Sequence, residues 1–153
     1  MQSKIKHEFS EHLKVSKKTM ASIGNPIEIA AKLCIDSLKN GNKILIYGNG
    51  GSAADAQHIA AEFVGKFQKN RSSFPAIALT TDSSILTSIG NDFSFESIFS
   101  RQCEGLASKD DVVIGISTSG NSQNVVNGLI TSKKNGCKTI GFLGNDGGKI
   151  KDI

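Results

Sequence analysis

The sequence predicts an α/β domain, a doubly wound and mostly parallel sheet flanked by helices, with N-terminal helices suited to oligomerisation. Three observations carry this. From Lys43 onward short apolar runs alternate with helical ones, the βαβ rhythm of parallel strands joined by right-handed crossovers. The runs at 43–47, 76–79, 112–116 and 139–143 are nearly continuous in apolar residues, as strands covered on both faces are. The loops between these elements are short and marked by Gly or Asn. At 153 residues the chain is long enough for one domain with its own core.

Hydrophobic residues make up 38% and charged residues 21% of the chain, ordinary for a soluble globular protein. No run approaches the roughly 20 apolar residues of a membrane span. Residues 1–18 mix charges throughout, with no apolar stretch of a secretory signal. Cys34, Cys103 and Cys137 are odd in number and lack CxxC spacing, which reads as reduced thiols in a cytoplasmic protein. The net charge is +4 with a pI of about 9.0, yet there is one Tyr and no Trp. Base-stacking surface is scarce, so an anionic small substrate is expected rather than nucleic acid. Most lysines read as solvated charges.

Element by element, Ile5, Phe9, Leu13 and Met20 set a narrow apolar stripe on a first helix, suited to packing on another subunit. A second helix opens with Asn25 as N-cap, Pro26 at the first helical position and Glu28 at the third. Its expected buried face is Ile27, Ala30, Ala31, Cys34, Ile35 and Leu38, and Gly41 stops it. Helices are then expected at 53–67, 84–89, 95–106 and 123–135, between the four strands. In such sheets ligands gather at the carboxyl ends of the strands. Three polar loops fall there, at 48–52, 80–84 and 117–122, and Gly90-Asn91-Asp92 is a fourth candidate to line the same crevice.

Two of these loops carry chemistry. Gly48-Asn49-Gly50-Gly51-Ser52 leads from an apolar strand into a helix, whose unpaired N–H groups and dipole favour an anion. On that helix His58 and Glu62 are four apart and share a face. They read either as a surface pair or as two donors of a tetrahedral metal site. His7 and His12, the other histidines, lie on the first helix and do not obviously complete it. Among small neighbours (Ala53, Ala54, Ala56, Ala60, Ala61) another backbone or a ligand can approach closely. The second loop, Ser117-Thr118-Ser119-Gly120-Asn121-Ser122, offers hydroxyls beside a helix start, which can hold phosphate oxygens without a lysine. An N-cap and turn would use the same residue types, but a cap needs only one of them. Residues 48–53 also fit G-x-G-x-x-A, so a dinucleotide-dependent dehydrogenase competes. Asp82, its candidate ribose acid, lies about thirty residues on rather than about twenty.

Taken together, GNGGS-x-x-D-A-x-H-x-x-x-E, GNDF-x-F and GISTSGNS, in that order along nearly the whole chain, resemble the sugar isomerase (SIS) domain family, most closely its phosphoheptose isomerase branch. The resemblance implies an α/β SIS fold and a homotetramer with active sites shared between subunits; composition and the lack of a long apolar run already speak against a nucleic-acid or membrane partner. It implies isomerisation of D-sedoheptulose 7-phosphate to D-glycero-D-manno-heptose 7-phosphate, the first step toward nucleotide-activated heptose for surface glycans such as lipopolysaccharide. Carried over residue by residue, Asn49, Gly50, Gly51, Ser52, Asn91 and Asp92 contact substrate. Ser117, Thr118, Ser119 and Ser122 cradle phosphate. His58 and Glu62 bind zinc, with Glu62 also the catalytic base. In the family a further strand and a long helix follow, and that helix carries a Gln and a His that complete the zinc site. The expectation is therefore one SIS domain over 1–153 without its last strand and helix, in a polypeptide that continues past Ile153. A non-catalytic SIS protein that binds the replication initiator DnaA shares the fold and is the alternative from another class.

Overall fold

The computed structural model describes residues 1–153. It divides into two compact units, Met1–Leu33 and Cys34–Ile153. The first holds α1 (Gln2–Ser22) and the opening turns of α2 (Gly24–Lys39). No residue of α1 is buried, and its stripe residues Ile5, Phe9 and Leu13 are 51%, 68% and 60% exposed.

Two expectations for α2 are corrected. The helix begins at Gly24, so Asn25 lies inside it rather than capping it, and the Ile23 carbonyl accepts from Ile27 N at 3.0 Å. The first four N–H groups of any helix lack intrahelical partners, so Pro26 fits anywhere in that turn and does not mark its first residue. The expected buried face is also largely open, with Ile27 and Ile35 exposed and only Ser37 fully buried. The apolar period marks a face that wants cover; it does not say that the same chain supplies the cover.

The second unit contains the sheet. Its strands are β1 (Ile44–Gly48), β2 (Ala76–Ala78), β3 (Val112–Ser117) and β4 (Lys138–Leu143). They pair in parallel in the order β2-β1-β3-β4. Between them run α3 (Gly51–Val64), α4 (Ser83–Asp92), α5 (Ile98–Leu106) and α6 (Gln123–Lys134). The expected helix at 95–106 divides into a 3-10 turn, Phe95–Ser97, and α5. α4 runs further than expected and takes in Gly90-Asn91-Asp92, which is therefore helical rather than a loop.

Only the inner strands are covered on both faces. Every residue of β1 and β3 is buried, whereas β2 and β4 are partly open. Both lie at sheet edges, and the continuous apolar pattern does not distinguish edge from centre. One face of the sheet packs Leu45, Tyr47 and Val113 against Phe99, Cys103, Val125 and Leu129 of α5 and α6. Tyr47 stacks on Phe99 with ring centroids 4.7 Å apart. The strand period places Ile44, Ile46, Ile114 and Ile116 on the opposite face, where α3 contributes the buried Ala56 and Ala60. Two of the small residues on α3 thus bring its backbone close to the sheet.

Candidate active site

Strand order sets where a ligand can enter. The crossover from β1 leads to β2 on one side, and β3 lies on the other, so the chain diverges between β1 and β3. In open parallel sheets the carboxyl ends at such a point are where a ligand crevice forms. The two loops that leave those ends are the ones rich in Gly and Ser. Each runs straight into a helix, α3 and α6, with no side chain capping the helix start. Gly50, at φ 54, takes a left-handed turn that a β-carbon would strain, and α3 begins immediately after it. Two sets of free N–H groups, each at the positive end of a helix dipole, therefore open on one crevice.

The loop after β3 is built around Ser117 and Gly120. Ser117 is buried, accepts from Gly120 N at 3.1 Å and lies 3.2 Å from the Ser122 hydroxyl. Thr118 and Ser119 are exposed. Ser119 accepts from Asn121 N at 3.2 Å. The loop after β4 braces this turn from behind. Lys149 N donates to Asn121 Oδ1 and Ile150 N to the Gly120 carbonyl, each at 3.1 Å. A β-carbon on Gly120, itself at φ +66, would sit on the Gly147 carbonyl. The serine turn is held by the Ser117 and Ser119 hydroxyls and by the segment after β4, while Thr118 stays exposed.

A contact missed in the sequence ties the two loops together. Asn49 Nδ2 donates to Asn124 Oδ1 at 2.8 Å, and Asn124 Nδ2 returns a bond to Asn49 Oδ1 at 2.9 Å. Asn124 is 2% exposed in the first turn of α6. Its signal in the sequence is weak: a second amide directly after the Ser122-Gln123 helix start.

His58 and Glu62 sit further along α3, with His58 Nε2 3.8 Å from Glu62 Oε1. They are a nitrogen and an oxygen donor on one helix face, the types zinc takes. No third His, Cys, Asp or Glu joins them, so the residues present fit half of a tetrahedral set and not a whole one. Glu62 lies eleven residues beyond the helix start, about 16 Å along the axis. The end of α3 is fixed by Arg71, which the sequence also did not single out. Its guanidinium donates to the Glu62 and Phe63 carbonyls at 2.7 and 2.8 Å and lies 4.3 Å from the centre of the Phe74 ring. A cation there complements the negative end of the helix.

Asn91 and Asp92 are exposed at the end of α4, and their recorded side-chain hydrogen bond is to each other, at 2.8 Å. Asp82 accepts from Ile85 N at 2.9 Å as the N-cap of α4. The acid that a dinucleotide site would place on a ribose is committed to a helix end. The three cysteines are free. Burial pushes all three thiols up, Cys103 to about 11, which keeps them protonated and unreactive near neutral pH.

Residues 8–144 match the family model described as the SIS domain. The chain is 58% identical to a phosphoheptose isomerase of a Nitratiruptor species, over 97% of its own length and 80% of that protein's. Its structure is similar to that of phosphoheptose isomerase GmhA from Neisseria gonorrhoeae, with a TM-score of 0.93 and 42% identity, covering 99% of this chain and 79% of that one. A phosphoheptose isomerase from Francisella tularensis is equally similar, with a TM-score of 0.94 and 33% identity, covering 98% and 78%.

Proposed function

The chain belongs to the phosphoheptose isomerases of the SIS domain family, and from this premise we propose that it interconverts D-sedoheptulose 7-phosphate and D-glycero-D-manno-heptose 7-phosphate. The observation that carries the reading is the pair of uncapped helix starts, α3 and α6, meeting a serine turn at the carboxyl ends of β1 and β3. Such a crevice suits a phosphate and the polyol attached to it.

Roles follow from residue chemistry. Ser117, Thr118, Ser119 and Ser122 hold the phosphate together with the first N–H groups of α6. The Asn49, Gly50, Gly51 and Ser52 segment lines the sugar, with Asn91 and Asp92 as further contacts. Fixing the phosphate end orients the reacting end. Isomerisation moves a proton between C1 and C2 through a cis-enediolate. Glu62, partly buried, is the carboxylate that takes and returns it. A zinc ion, when bound, would supply a Lewis acid for the developing oxyanion, and this chain would contribute His58 and Glu62 to it.

The exposed first helix supports active sites shared between subunits of a homotetramer. The exposed stripe of Ile5, Phe9 and Leu13 is the kind of surface that a homotetramer would cover. No helix is long and apolar enough to cross a membrane, and a cytoplasmic enzyme is the reading that suits three free thiols. Its product would feed nucleotide-activated heptose for surface glycans, including lipopolysaccharide.

The test is incubation of the protein with sedoheptulose 7-phosphate and zinc, followed by NMR of the sugar C1 and C2 signals. Appearance of the aldose is expected. No interconversion by folded protein would overturn the reading.

A further inference from the structure

We infer that Asn124 is a positioning residue that sets the spacing of the two anion-binding loops, and that it does so through the Asn49 carboxamide. This rests on the crevice being a phosphate site, as proposed above. The observation is the reciprocal amide pair, two hydrogen bonds of 2.8 and 2.9 Å between residues 75 apart in sequence. One partner directly follows β1 and the other lies in the first turn of α6. The pair therefore crosses the gap between the diverging strands at the height where the two helix starts open.

Its location separates it from ordinary core polarity. Asn124 is 2% exposed, and a buried amide without partners is costly. Asn49 supplies one donor and one acceptor to it, and receives the same in return. Two reciprocal bonds between the same two amides fix distance and relative tilt together, which a single bond would not. The Asn49 side chain is thereby turned toward α6, and its segment still offers a ligand the backbone N–H groups of Gly51 and Ser52. Loss of Asn124 would free both loops at once. The serine turn's own bonds, Gly120 N to Ser117 Oγ and Lys149 N to Asn121 Oδ1, would remain. The effect is then on the spacing between loops rather than on either loop.

Asn124→Leu keeps the γ-branched shape at a larger volume and removes both hydrogen bonds; Asn49→Leu does the same from the other side. The probe is inorganic phosphate, its Kd measured by calorimetry on the full chain at a temperature well below unfolding, with zinc-loaded turnover as a second readout. The inference predicts that each single variant weakens phosphate binding roughly tenfold, the worth of one or two net hydrogen bonds. The double variant should be no weaker than either single one, since the pair acts as a unit. KM for the sugar phosphate should rise in parallel, with kcat changed far less. Asn124→Ser, too short to reach Asn49, provides the same comparison should the leucine variant fail to fold. Unchanged phosphate affinity in folded Asn124→Leu would overturn the inference and leave the proposed function standing. So would additive losses in the double variant, or failure of both Asn124 variants to fold, which would make the pair scaffold only. Absence of phosphate binding by the wild-type chain would instead overturn the proposed site.

Discussion

The two ends of the sheet treat their polar groups in opposite ways. At the amino end, Asp111 precedes β3 and is 1% exposed. Its carboxylate accepts from Lys43 N at 2.9 Å, from Lys43 Nζ at 2.6 Å and from Ser108 N at 2.7 Å. Its carbonyl accepts from Lys138 N at 2.8 Å, so this one residue joins the entries of β1, β3 and β4. Ser37 adds a bond from α2 to the neighbouring Asp110 carbonyl. At the carboxyl end of the same strands, both helix starts lack side-chain caps, and Thr118 and Ser119 stay exposed. One end has its polar groups matched within the chain. The other keeps donors unmatched, an arrangement that suits a ligand with many acceptors.

Glu62→Gln would sharpen the contrast most. It removes the proton acceptor and, with it, an anionic zinc donor, so turnover should fall at least roughly 10³-fold, while Kd for inorganic phosphate stays within twofold. The check is kcat beside calorimetric Kd, and wild-type turnover would mean that Glu62 is not the base. Asp111→Ala tests the opposite end. It strands the Lys43 ammonium and two backbone donors, and the unfolding free energy should drop by about 3 kcal/mol. Urea unfolding measures this. Phosphate affinity of the remaining folded protein should be unchanged, and a variant that loses affinity in step with stability would break the division between the ends.

The core between the two ends supplies the smallest effect. The Cys103 thiol is raised from 9.0 to about 11 by burial. The unfolded chain therefore loses this proton near pH 9, while the folded chain keeps it until about pH 11. The stability that depends on the protonated thiol is complete below pH 9 and lost as pH rises through 11, with about 1 kcal/mol gone at pH 10. Burial shifts the Tyr47 hydroxyl in the same direction. Chemical denaturation at pH 8 and 10 checks the loss. Cys103→Ser should flatten the slope, and an unchanged slope would assign the alkaline loss to another group.

Much of the scaffold was legible from the sequence because it depends on local patterns. All four strands lie within one residue of their apolar runs, and both Gly- and Ser-rich loops could be located by composition and by their place between strand and helix. What escaped depends on contacts distant along the chain. Asn124 meets Asn49 across 75 residues and Asp111 meets Lys43 across 68, so neither looks exceptional in its own neighbourhood. Arg71 was hidden differently: its partners are backbone carbonyls, which no side-chain pattern encodes. On α2 the apolar period was legible, but which surface covers Ile27 and Ile35 was not.

Hydrogen–deuterium exchange with and without inorganic phosphate tests the contrast between the ends most directly. The account predicts phosphate-dependent protection at the amides of Gly51, Ser52, Gln123 and Asn124, and none at Lys43, Ser108 or Lys138. Those three already donate to acceptors within the chain. Protection at the amino end, or none at the two helix starts under saturating phosphate, would contradict it.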